Sequence, residues 1–139
     1  MELTAVALQT VAENQNVLFT DTVIYGNPSI VHRAGSGLVT LRGLTNQCRA
    51  QYKVTFGGNI AIPTGGTVEE ISLALTIDGE PLGSATMIET PAAVEQFSNV
   101  FGAVYIAVPR GCCLTVGVRN TSAQAINVQN ANLIVERIA

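Results

Sequence analysis

Apolar and polar residues alternate with a period of two through most of the chain, the spacing of strands that bury one face. The stretch 96–120, QFSNVFGAVYIAVPRGCCLTVGVRN, reads as two strands joined by Pro109-Arg110-Gly111. Its first strand is apolar on both faces. Phe97, Phe101, Ala103, Tyr105 and Ala107 point one way, and Val100, Val104, Ile106 and Val108 point the other. An antiparallel sheet over one core needs a single apolar face, so this strand must be covered twice. The second cover is either more of the same chain or another copy of it.

Around this stretch, strand signals recur with turn signals between them. Short strands are predicted at 3–8, 17–20, 30–33 and 38–44, the last two separated by Ala34-Gly35-Ser36-Gly37. A long strand follows over 48–62, with Gly57-Gly58 predicting a bulge or bend where side chains are missing. Residues 68–77 run into Asp78-Gly79, a two-residue hairpin signal, and return at 84–89. The final strand, 125–138, slips in alternation near Asn130-Ala131-Asn132, which predicts a bulge there. No helix-length amphipathic segment interrupts the series. Ten short strands are too many for one open sheet of this length, so the fold class is all-β, two packed antiparallel sheets.

Composition sharpens this picture at one point. Charged residues are 12% against 47% hydrophobic in 139 residues, about half the usual charged share of soluble domains. So few charges cover a monomer poorly, which favours an oligomer. No apolar run approaches the roughly 18 residues of a membrane helix, and the acidic MELTAVALQTVA does not read as a Sec-type leader. With a net charge of -3 and scattered Lys and Arg, neither nucleic acid nor a membrane is an expected partner.

Candidate chemistry is sparse. His32, the only histidine, has no motif partner, and Gly35-Ser36-Gly37 lacks the strand-to-helix setting of a nucleophile elbow. Asp78-Gly79-Glu80 falls short of the 6–8 oxygen ligands calcium takes and reads as a turn. Glu69-Glu70 reads as solvated, Asn120-Thr121-Ser122 as a polar turn that happens to match a glycosylation sequon. Neither Gly57-Gly58 nor Gly65-Gly66 precedes a helix that would cradle phosphate. No catalytic, cofactor or metal residue is assigned. Cys48, Cys112 and Cys113 are an odd set; alternation aligns Cys48 with Tyr52 and Phe56, and Cys112 with Leu114 and Val116, so both are expected in the core, close enough to pair if their strands are neighbours.

The succession Gly35-Ser36-Gly37-Leu38-Val39-Thr40-Leu41, Tyr52-Lys53-Val54-Thr55-Phe56, Ala74-Leu75-Thr76-Ile77-Asp78-Gly79-Glu80-Pro81-Leu82 and Val108-Pro109-Arg110-Gly111-Cys112-Cys113-Leu114-Thr115-Val116 resembles the ten-strand jelly roll of the tumour necrosis factor and complement globular-head superfamily. The likeness is to its bacterial and bacteriophage members, such as exosporium collagen-like glycoprotein tips and phage virion surface proteins. It implies a jelly-roll domain over 16–139, with 1–15 as an N-terminal strand or attachment segment. It also implies a homotrimer, with Phe97, Phe101 and Tyr105 as trimer-interface candidates. The functional expectation is a non-enzymatic structural module on a virion surface, a phage capsid decoration or fibre protein attached through the N-terminal segment. The alternative is a receptor- or carbohydrate-binding tip on a fibre, or on a bacterial spore or cell surface.

Overall fold

In the computed structural model, which describes Met1–Ala139, the period-two pattern resolves into eleven strands and no helix. They are β1 (Glu2–Ala5), β2 (Gln9–Val11), β3 (Asp21–Ile24), β4 (Ile30–His32), β5 (Leu38–Arg42), β6 (Arg49–Ala61), β7 (Ile71–Ile77), β8 (Glu80–Glu89), β9 (Ser98–Pro109), β10 (Cys113–Asn120) and β11 (Ile126–Arg137). One sheet runs β3-β1-β11-β6-β9, with β2 also paired to β11; the other runs β4-β5-β10-β7-β8. Every pairing within the two sheets is antiparallel.

The two inner faces meet in one core. From β6 come Ala50, Tyr52, Val54, Phe56 and Ile60, opposed by Val39, Leu41, Leu73, Leu75, Val116 and Val118 of the other sheet, all buried. Phe19 stands edge-on to Phe56, ring centroids 6.4 Å apart at 74°, a favoured aromatic geometry. The Tyr52 hydroxyl leaves the apolar layer to donate to Arg42 O at 2.6 Å.

Several sequence expectations change here for local reasons. The first predicted strand, 3–8, stops at Ala5 as β1, because the chain crosses the β11 bulge at Val6–Leu8, where Asn130 N donates to Val6 O, and β2 begins only at Gln9, past the predicted end. Residues 17–20 are not a strand. Val17 and Phe19 are buried plugs whose amides donate to Val118 O and Ser36 O, and β3 forms just after them. Gly57-Gly58 does not bulge: β6 stays in unbroken register with β9 from Arg49 to Ile60. The irregularity is in β11, between Gln129 and Asn132, as the slipped alternation predicts, with Asn130 at φ 56°. Residues 96–120 are not a hairpin either, since β9 and β10 belong to different sheets and Pro109-Arg110-Gly111 carries the chain across the sandwich. That crossing is tight. A side chain on Gly43 would lie 2.1 Å from Pro109 O. Asp78-Gly79, with φ of 51° and 84°, forms the β7–β8 hairpin turn, where both central residues need positive φ.

Candidate functional site

At the edge of the first sheet, β9 pairs with β6 alone. Its even-numbered face holds Val100, Ile106 and Val108 in the core, together with Gly102, where Met87 of β8 packs closely enough to leave 3.1 Å for an added side chain. Its odd-numbered face has no cover. Phe101 is 67% exposed and Tyr105 70%, with Ala103 and Ala107 between and below them. Phe97, 40% exposed, sits just ahead of the strand on the same parity. Thus the structure gathers all three aromatic candidates along one ridge, and the strand is covered once by its own chain.

The floor beside the ridge is set by register. Phe101 lies opposite Gly57, Ala103 opposite Thr55, Tyr105 opposite Lys53 and Ala107 opposite Gln51. A side chain on Gly57 would meet nothing within 4 Å, so an open notch adjoins the Phe101 ring. Lys53 Nζ sits 5.9 Å from the Tyr105 ring centroid, within cation–π range. Above the notch, Asn59 Nδ2 donates to Asn130 Oδ1 at 3.2 Å, and Asn99 Nδ2 donates to Asn59 Oδ1 at 3.3 Å. A hollow of about 320 Å³, lined by Arg49, Gln51, Tyr105, Ile106, Ala107 and Ile138, lies at the foot of the ridge. The result is an aromatic edge next to a shelf that is uncharged beside Phe101 and carries Lys53 and Arg49 toward its foot.

The other sequence candidates are dispersed. His32 Nε2 lies 2.9 Å from Ser36 O, and its Nδ1 is buried without a partner. Asp78 Oδ1 accepts from Thr115 N and Oγ1 at 2.9 and 3.1 Å, so the carboxylate fastens its own turn. Glu69 Oε1 accepts from Gln124 Nε2 at 3.1 Å. The largest hollow, about 500 Å³ between residues 9–18 and 36–38, is lined mainly by amides, hydroxyls and aliphatic groups and includes no acidic, basic or thiol side chain. Such a lining supplies no general acid or base.

Asn120 is the buried anchor of the polar turn that follows β10. It is 0% exposed; Nδ2 donates to Val11 O, Ala12 O and Gln124 O at 3.0, 3.3 and 2.9 Å, and Oδ1 accepts from Ser122 N at 2.9 Å. The sequon nitrogen is therefore committed to structure. Sequence reasoning missed this clamp, although an amide between a strand and a polar turn is the type of residue that satisfies loop carbonyls.

The cysteine expectation is also overturned. Cys48, Cys112 and Cys113 are all free and exposed. Cys48 has the inward parity of Ala50 and Tyr52, and Cys112 that of Leu114 and Val116, but β6 begins at Arg49 and β10 at Cys113. The pattern was extended one residue past the end of each strand, where no core remains. All three thiols are expected to react with a thiol reagent in the native, unreduced protein; a count below three would restore the buried or paired reading.

No family model matches the chain, and no curated protein matches it. Among solved structures it is similar to the globular domain of zebrafish complement 1qA protein (14% identity over 96% of this chain and 93% of that one, TM-score 0.64). It is likewise similar to murine APRIL (11%, 97% and 97%, 0.63) and to Eiger TNF from S. frugiperda (13%, 100% and 92%, 0.66). At these identities the likeness concerns the fold. The chain has the antiparallel jelly-roll sandwich of the tumour necrosis factor and complement globular-head type.

Proposed function

We propose that this chain is a non-enzymatic structural module that works as a homotrimer, with Phe97, Phe101 and Tyr105 buried between copies. The observation that carries the reading is the exposure of Phe101 and Tyr105 on a 12-residue edge strand whose opposite face is already in the core. An aromatic ridge open to water favours association, because apolar burial contributes about 25 cal/mol per Å², and exposed long edges are otherwise an aggregation hazard. A contact between this edge and a different surface of the next copy is heterologous, and closes into a ring when the rotation is threefold. The fold likeness supports the same assembly.

The module is displayed on a particle surface, as a phage capsid decoration or fibre protein. The motif resemblance described above supports this role, and the N-terminal segment provides the attachment. That segment is built into the sheet through β1 and β2, yet Val6 and Leu8 between them are exposed, and Leu8 shares a hollow with exposed Leu18, an apolar patch away from the ridge. A receptor- or carbohydrate-binding tip on a fibre, spore or cell surface is the second reading. Exposed Tyr25 favours it as a stacking platform, but one loop aromatic gives a sugar little to lie against. Light scattering is expected to return three times the 14.5 kDa chain mass; a single-chain mass at all concentrations would remove the trimer. Neighbouring genes for capsid or tail proteins favour the decoration role, whereas collagen-repeat or spore genes favour the second reading.

A further inference from the structure

Charge is segregated along the strand direction. At the end where β6 begins, the β5–β6 loop and the β9–β10 turn are held together: Arg110 N donates to Cys48 O at 2.9 Å and Gly43 N to Cys112 O at 2.8 Å. Cys113 lies opposite Arg42 and Pro109 opposite Arg49. Arg137 Nη2 donates to Leu44 O at 2.6 Å. Four of the seven cationic residues, Arg42, Arg49, Arg110 and Arg137, therefore gather at one end, and the first three are exposed. The sequence has no Asp or Glu over 22–68 or 96–135. Asp78, bound to Thr115, and Glu80 also reach this end, but in the hairpin at the far edge of the other sheet, and Glu136 is in register with Lys53; the excess of positive charge is on the side of β5, β6, β9 and β11.

The opposite end, built from residues 12–16, 62–70, 89–95 and 121–125, reverses the sign. Main-chain bonds tie it together, Asn14 N to Asn120 O at 3.1 Å and Glu95 N to Ile62 O at 2.7 Å, and Glu89 pairs with Ile71. It carries Glu13, Glu69, Glu70, Glu89 and Glu95, and these stretches contain no Lys or Arg. Arg33, in the β4–β5 turn packed on residues 16–19, is also at this end, and Arg119 bridges Asn16 from within β10, so the five carboxylates outnumber the cations there.

We propose that the arginine end of one copy docks on the carboxylate end of another, so that copies join end to end along the strands. Like ends repel and unlike ends attract, so the charge pattern selects this orientation. The contact is heterologous and does not close on itself, so it extends as a column. It uses no residue of the β9 ridge and stands whether single chains or trimers are the units.

The test is light scattering of the full chain across protein concentration, at about 10 mM and about 1 M salt, which shortens the screening length from roughly 30 Å to roughly 3 Å. At low salt the mass is expected to grow with concentration in multiples of the high-salt unit. Alkylation of Cys48, Cys112 and Cys113 by neutral iodoacetamide should slow in parallel, since the docked end covers them. Arg49→Glu with Arg110→Glu, or Glu69→Lys with Glu70→Lys, is expected to weaken growth about tenfold or more, and the four changes together to restore it. Failure of the ridge reading would change the high-salt unit; failure of this one would leave the mass and alkylation independent of salt, with each charge-reversed pair behaving like the unmodified chain. Capture of dextran sulfate by the arginine end without growth at low salt would also overturn it.

Discussion

Phe101→Asp is expected to yield a folded monomer, or insoluble material, in place of a trimer. The ring stands outside the core, so its replacement leaves the sandwich intact, and far-UV circular dichroism and the unfolding temperature of the soluble fraction should match a monomeric reference. In the assembled state the same position is closed off from water. A carboxylate there would lose hydration without gaining a cation, because the adjoining positions are Gly57, Asn99 and Ala103. An uncompensated buried charge costs on the order of 3 kcal/mol or more at each contact, roughly a hundredfold in affinity. Three such contacts per ring multiply the effect. Light scattering decides the matter: a soluble trimer from this variant would remove Phe101 from the interface.

Asn120→Ala acts on stability with assembly set aside. The substitution strips hydrogen bonds from Val11 O, Ala12 O and Gln124 O and from Ser122 N. Each buried group left unsatisfied costs about 1–3 kcal/mol; allowing for partial rescue by water near the loop surface, a net loss of about 3 kcal/mol and a fall in Tm of about 10 °C are expected. Residues 11–12 are fastened to the turn at 120–124 by this one amide, so denaturant or thermal unfolding reads it directly. A Tm shift below about 1 °C would mean the loops are held by something else.

Where the structure departs from the sequence reading, the cause is the same in each instance. Alternation reports which face a residue takes, not where a strand stops or which strand lies beside it. Tyr52, Val54 and Phe56 were legible as core, and so was the two-faced character of residues 98–109. Asp78-Gly79 carried its turn in its chemistry, and the Asn130 bulge showed as a phase slip. Cys48 and Cys112 were misplaced because the pattern continued past the end of the sheet. Pro109-Arg110-Gly111 looked like a hairpin because turn residues mark a reversal without stating whether the next strand stays in the same layer. The ridge was legible for a physical reason: apolar residues on both faces of one strand are unusual enough to require explanation. The amide clamp and the separation of charge were not, since both arise from long-range register.

The placement of β1 carries a consequence for synthesis. It pairs on one side with β11, Glu2 opposite Ile134 and Ala5 opposite Ala131, and its remaining neighbour β3 is only four residues long. Residues of β1 therefore leave the ribosome long before those of β11, and must wait for them before their main inter-strand bonds have partners. Until then the long strand β6 has one side unoccupied, and any nascent chain halted before Ile126 presents that side to whatever β-prone segment is nearby. Quality control of this fold thus falls on the synthesis of β11, because the strands made before it do not close the first sheet.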